Sequence, residues 1–282
     1  MSAPLISIIT VVYNRCATLP ITLDSVEGQT YKQVEYIIID GGSTDGTLEL
    51  LEQRKSEFSV LISEPDEGLY DAMNKGLDRA TGDFCLFLNA GDAFYNNTSL
   101  TELVSPIKDY DTYYFGTAVM TDGKHIYRLN PRKPVQGNYQ IGQGLPNHQA
   151  SLFPRSFYAS NRYDTDFKIA ADDDFKIRAI RFCPVVHINV WVVIFELGGL
   201  SRDLSRFSRV SARYADTQRL ISKHFLQDRG RKWAAVKFLL KSGGIYALQL
   251  ITGYHWRYEY YFNKFEKIPE GEAAKFKSTF DR

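Results

Sequence analysis

Cysteine is scarce: the 282-residue chain has only Cys16, Cys85 and Cys183, odd in number and far apart. Such spacing supplies neither a disulfide framework nor paired zinc ligands, and it fits a reducing compartment. Long apolar runs are also missing. Leu5 to Val12 has no basic region before it and is too short for a signal sequence, and no other run reaches the roughly 20 residues needed to cross a bilayer. There is no G-x-G-x-x-G after the first apolar run and no G-x-x-x-x-G-K-[ST] anywhere, so dinucleotide and P-loop readings lose their main support. Net charge is nearly absent, at +1. That balance hides an asymmetry, because residues 201–282 hold 17 Lys and Arg against 8 Asp and Glu, while the first 200 hold 17 against 25. A basic tail of this kind points to an anionic partner, for which nucleic acid and an anionic membrane surface both qualify. The expectation is a cytoplasmic protein, with any membrane attachment peripheral.

What is present is core-forming material, 44% of the residues being hydrophobic. That is enough for one large α/β domain or one domain with an appendage. Leu5 to Tyr13 reads as a strand, followed by a helix with Leu19, Leu23 and Val26 on one face. Val34 to Asp40 repeats the pattern, breaks into Asp40-Gly41-Gly42-Ser43-Thr44-Asp45-Gly46-Thr47, and continues as a helix over Leu48 to Lys55. Ser59 to Ser63 is a short strand before Glu64-Pro65-Asp66-Glu67-Gly68 and a helix over Leu69 to Ala80. A fourth strand begins at Phe84 and ends on Asn89-Ala90-Gly91-Asp92. Four strands alternating with helices argue for a right-handed, doubly wound, mostly parallel sheet.

In such sheets ligands bind outside the carboxyl ends of the strands. Tyr13 to Arg15, Asp40 to Asp45, Glu64 to Gly68 and Asn89 to Asp92 should therefore share one edge. Turn chemistry alone explains glycines at such places, and Asp92 could equally cap the next helix. Further on, a helix is expected over Ser99 to Ile107, strands over Tyr113 to Met120 and His125 to Leu129, and a long loop over Asn130 to Pro146. That loop leads into His148 and Gln149, which could reach a diphosphate or an acceptor, His148 even as an added metal ligand. Asp172, Asp173 and Asp174 open a helix, where acids also serve the macrodipole. Val185 to Phe195 is the last expected strand before Gly198-Gly199-Leu200-Ser201.

Taken together, Thr10-Val11-Val12-Tyr13-Asn14, the Asp40 to Thr47 run, Asn89-Ala90-Gly91-Asp92 and Ala171-Asp172-Asp173-Asp174 resemble a family 2 glycosyltransferase over about the first 200 residues. Glu64 to Gly76 is similar to a bacterial surface-polysaccharide branch, of the O-antigen kind. The resemblance implies a GT-A fold and inverting transfer of a sugar from a nucleotide sugar, usually a UDP sugar, to an acceptor hydroxyl. It makes Asp40 the acid that hydrogen-bonds the base, places Thr10, Tyr13 and Asn14 around the nucleotide, and gives Asp66 and Asn89 donor-site positions. Asp92 matches a metal ligand for Mg²⁺ or Mn²⁺, one carboxylate being sufficient when waters and substrate phosphates complete the shell. Asp172 matches the general base, with Asp174 the second choice.

Four positions depart from the pattern. Asn89 and Gly91 stand where the family usually has acids, Gly41 replaces a common aspartate, and Ala171 stands before the base in place of a glutamate. Residues 1–200 are read as the catalytic domain, and residues 201–282 as a basic, aromatic helical extension that associates with a membrane or forms a homodimer. Around Trp233 to Lys241 and Ile245 to Phe262, basic and aromatic residues alternate in a manner suited to an anionic lipid interface. The expected acceptor is a lipid-linked oligosaccharide or polysaccharide, and the expected location is the inner face of the cell membrane. A non-catalytic nucleotide-sugar-binding module is the alternative reading. Nucleic-acid binding has no recognition module to support it.

Overall fold

The computed structural model describes residues 3–121, 126–128, 145–196, 207–225 and 266–267. The tail stretches 232–241 and 245–262, the Gly-Gly segment near 198 and nearly all of the 130–146 loop lie outside the described residues.

The strand β1 (Ile6–Val12) is buried along its whole length, and its side chains alternate between two cores. Ile9 and Val11 face one core, Ile6, Ile8 and Val12 the other. The strands β2 (Val34–Asp40) and β4 (Phe84–Phe87) divide in the same way, Ile37, Ile39, Cys85 and Phe87 against Tyr36, Ile38, Phe84 and Leu86. Period-two alternation with apolar residues on both faces is what a sheet covered by helices on both sides demands. The first face is covered by α3 (Leu69–Arg79) through Tyr70, Met73 and Leu77, and by α6 (Ala171–Phe182) through Phe175, Ile177 and Ile180. The second is covered by α1 (Leu19–Glu27), by Leu51 of α2 (Thr47–Gln53) and by α4 (Ser99–Val104).

The strands β4, β1, β2 and β3 (Val60–Ser63) lie side by side and parallel, the doubly wound half expected from the sequence. Pairing then turns antiparallel at β8 (Ser151–Pro154), which sits between β4 and β6 (Tyr113–Thr121). The sheet continues through β7 (Ile126–Arg128) to β10 (Glu266–Lys267), and β9 (Val185–Glu196) pairs with both β6 and β5 (Ala93–Phe94). The short helix α5 (Arg155–Tyr158) follows β8 directly. The expected helix over Ser99 to Ile107 stops at Val104.

Register aligns the strand ends. Val12 is opposite Asp40, Asp40 is opposite Ser63, and the Leu88 N–H donates to the Ile9 carbonyl at 3.0 Å. The four polar turns therefore lie along one edge. A last helix, α7 (Phe207–His224), belongs to the stretch expected as tail. Ile221 on it and Phe225 just after it are buried in the same core as α3 and α6.

Candidate functional site

The first two turns are stitched together by their own polar groups. Asn14 is the one described non-glycine residue in the left-handed region, at φ 52°. That conformation directs its N–H to Ser43 Oγ at 2.8 Å, while its Oδ1 accepts from the Thr44 N–H at 2.9 Å. Just beyond, the Cys16 N–H donates to Asp45 Oδ2 at 3.1 Å, and Thr47 Oγ1 donates to Asp45 Oδ1 at 2.5 Å. Tyr13 is left projecting from this turn, 60% exposed.

Two residues expected at the nucleotide are internal. Thr10 is fully buried and its hydroxyl donates to the Leu88 carbonyl at 2.7 Å, tying β1 to the end of β4. Asp40 is also fully buried, with Oδ1 accepting from Ser43 Oγ at 2.5 Å and Oδ2 from Ser63 Oγ at 2.6 Å. The Ser43 N–H donates to the same carboxylate. With these donors already around it, Asp40 organises the loop rather than presenting an open acceptor to a base. Asp66 is less enclosed, being only part-buried. Its Oδ1 caps the Gly68 N–H at 2.9 Å, and its Oδ2 points at Gly41, so close that a Cβ built there would be 2.3 Å away. The Tyr13 ring lies 3.4 Å from the same point. Glycine at position 41 thus leaves room for a carboxylate that arrives from another loop.

The Asn89 to Asp92 turn is braced from two sides. Gly91, at φ 98°, donates its N–H to Thr22 Oγ1 at 2.8 Å, and that hydroxyl donates on to the Asp92 carbonyl at 2.7 Å. A side chain at Gly91 would be strained by that φ. On the other side, Gln149 accepts from the Asn89 N–H at 2.8 Å and donates to Asp92 Oδ2 at 2.7 Å. Gln149 is 4% exposed, so the expected reach toward a diphosphate is replaced by a clamp on the turn.

Its neighbour His148 faces the other way, Nδ1 lying 3.7 Å from Asp172 Oδ2. Burial pulls the imidazole pKa down to about 4, against the opposing charge of Asp172. Asp172 stands in the first turn of α6 and is about one quarter exposed, with a side-chain exposure of 23%. Burial would raise its pKa, but the Lys176 charge, His148 and Arg213 outweigh it and hold the carboxyl below the usual range. Lys176 is 6% exposed and reaches Asp172 at 3.0 Å and Asp173 at 2.9 Å. This i,i+4 and i,i+3 bridging could have been found from spacing.

Asp174 is fully buried. Burial opposes ionisation, but bonds from His224 at 2.7 Å and Lys223 at 2.9 Å, with Arg178 at 2.9 Å, bring its pKa down to about 2. It is a packing anchor between α6 and α7, and the second-choice base assignment does not fit it. Asp216 of α7 is 3% exposed and accepts from the backbone N–H groups of Lys168, Ile169 and Ala170. Neither α7 contact had a sequence signal, the partners being 46 to 50 residues apart.

Among the described residues no three His, Cys, Asp or Glu side chains gather as a metal cage. Two oxygen donors do sit on one turn: the Asp92 carboxylate and Asn89 Oδ1, which is buried without a hydrogen-bond partner. That pair fits a hard cation that keeps waters and takes substrate phosphate oxygens.

A doubly wound sheet with one carboxylate at the β4 turn, another at the start of α6, and a joined pair of nucleotide-side loops has the arrangement of a sugar-nucleotide transferase. Residues 7–182 match the family Glycosyl transferase family 2. A protein of Mycobacterium tuberculosis named as an uncharacterized glycosyltransferase is 34% identical over 252 residues, covering 83% of this chain and 94% of that one. A PGL/p-HBAD biosynthesis glycosyltransferase of Mycobacterium bovis is 31% identical, covering 72% and 82%. Among solved structures, S. aureus TarS in complex with UDP-GlcNAc superposes with a TM-score of 0.60 at 16% identity, covering 84% of this chain and 72% of that one. The mannosyltransferase PcManGT from Pyrobaculum calidifontis, in complex with GDP-Man and Mn²⁺, gives 0.57 at 17%, covering 89% and 76%. This chain belongs to glycosyltransferase family 2, has the GT-A type of fold, and is a glycosyltransferase.

Proposed function

We propose that the protein transfers a sugar from a UDP sugar to an acceptor hydroxyl with inversion, Asp172 serving as general base. The observation that carries this reading is the dipeptide His148-Gln149, which touches both acids. Gln149 holds Asp92, and His148 approaches Asp172. One dipeptide thus links the two acids, and in this reading Asp92 serves the leaving group and Asp172 the acceptor. Held low by Lys176, Asp172 is ionised near neutral pH, and its partial exposure leaves it open to a hydroxyl. As that hydroxyl attacks the anomeric carbon, Asp172 takes its proton while the bond to the diphosphate breaks.

On the donor side Tyr13 offers an exposed ring face, and Asp66, lying over Gly41, offers a carboxylate to a base N–H. Asp40, Asn14 and Ser43 keep those loops in place. Asp92 and Asn89 are the residues that would hold Mg²⁺ or Mn²⁺, which when bound neutralises charge on the leaving diphosphate. The UDP reading is supported by the TarS likeness and by the bacterial polysaccharide pattern in Glu64 to Gly76. A lipid-linked oligosaccharide or polysaccharide acceptor agrees with the basic tail, since such an acceptor requires contact with a membrane surface. No helix among the described residues is long and apolar enough to cross a membrane. Residues 1–200 then form the catalytic part with α7 packed on its core, and the rest of 201–282 is the basic extension that places it at the inner face of the cell membrane.

The test is Asp172→Asn, assayed for nucleotide release from UDP, GDP and dTDP sugars with an acceptor panel. Transfer should fall by about 10²- to 10⁴-fold, the range for loss of a general base, while UDP affinity is retained. Normal transfer by this variant would remove Asp172 from the mechanism.

A further inference from the structure

Resting on the reading of Asp172 as base, we propose that Asp216 is a positioning residue for it, which makes α7 part of the catalytic unit. The helix α6 begins without a side-chain cap of its own, since Ala170 and Ala171 stand at its start. The chain entering it is irregular, and its free N–H groups need acceptors. Asp216 supplies them from α7, accepting from Lys168 N at 3.0 Å, Ile169 N at 2.6 Å and Ala170 N at 3.0 Å. Ala170 is two residues before Asp172, so the clamp closes directly behind the base.

A buried carboxylate is tolerated only where donors surround it, and three convergent amides meet that need. The same geometry fixes the direction from which the chain enters α6. From the opposite side, the Tyr70 hydroxyl of α3 donates to the Ile169 carbonyl at 2.6 Å. Further along α7, Lys223 and His224 grip Asp174 at 2.9 and 2.7 Å, so α7 holds both the chain entering α6 and the first turn of that helix. Arg213 of α7 adds a positive charge that acts on Asp172. All of these α7 residues lie beyond the matched family span, which ends at residue 182.

The experiment compares Asp216→Ala and Asp216→Asn with wild type, each alone and combined with Asp172→Asn. Asparagine keeps the shape and one acceptor oxygen, so it tests the idea even where alanine prevents folding. A base displaced by about 1 Å should cost on the order of 10²-fold in kcat, less for Asn than for Ala, with donor KM and UDP affinity within about twofold. On the Asp172→Asn background either change should have little further effect on kcat, because the group being positioned is gone. Equal kcat in wild type and Asp216→Asn, a parallel loss of UDP affinity, or full additivity with Asp172→Asn would each overturn the inference. A wild-type protein that binds UDP but transfers nothing would defeat the base assignment first, and this inference with it.

Discussion

Replacing His148 with glutamine should flatten the protein's pH dependence of stability on the acid side of neutrality. The imidazole is only 15% exposed and its pKa is lowered from 6.5 to about 4. Between those values the unfolded chain binds a proton that the folded chain refuses, so stability falls as pH falls, beginning near pH 6.5 and ending near pH 4. At about 1.4 kcal/mol per pH unit, wild type should lose roughly 2 kcal/mol through this one group between about pH 7.5 and about pH 5. His148→Gln should lack that loss, while the other histidines contribute equally to both proteins. Asp174 leaves this window clear: its folded pKa is about 2, so the stability it provides is lost only below its ordinary value of 3.8. Urea denaturation at the two pH values, fitted with a common slope, gives the two differences directly. Should variant and wild type lose the same stability to within about 0.5 kcal/mol, His148 titrates normally, and the desolvated, neutral imidazole beside Asp172 is not there.

Two further substitutions probe the donor side. Gly41→Asp puts a side chain where Asp66 Oδ2 already lies, a Cβ at 2.3 Å. Calorimetry should show UDP affinity down by about tenfold or more, equivalent to about 1.4 kcal/mol, and recovery when Asp66→Ala is added. No recovery in the double variant would mean that the two positions do not share the space. Gln149→Leu removes the bonds that Gln149 makes to the part-buried Asn89 N–H and Asp92 Oδ2, at a cost of about 1 kcal/mol each. Divalent-ion titrations of its activity should shift by about 10- to 100-fold, the usual penalty for losing a partner that orients a metal ligand. An unchanged titration would separate Asp92 from any metal.

The parallel half of the fold was legible because its signal is local. Strands as rich in Ile and Val as β1 and β2, apolar on both faces, are buried between two helical layers, and the turns that follow them share an edge. The antiparallel half was not, since β8 and β6 pair across segments with no period linking them. Asp92 and Asp172 could be picked out as candidates by their place at strand and helix ends. The arrangement of Asp40 and Asp66 could not. It depends on Ser63 approaching Asp40 from a third strand and on Asp66 bending back over Gly41, contacts between residues 23 and 25 positions apart. Gln149 was noticed for its neighbourhood, but the direction in which its amide points is a tertiary fact. Asp216 was hidden for the same reason, one acid in a segment whose charge pattern pointed outward to a membrane.

The segment from Tyr163 to Ala170 has no regular secondary structure, yet it is fastened as firmly as a strand. Asn74 of α3 pairs with Tyr163 in both directions, at 3.0 and 2.7 Å, Tyr70 takes the Ile169 carbonyl, and Asp216 takes three successive amides. For anyone recombining acceptor specificities within this family, the unit of exchange is therefore not a contiguous stretch. A chimaera that imports residues 163–182 must also import Tyr70, Asn74, Asp216, Lys223 and His224, or it will carry Asp172 on a helix that nothing aims.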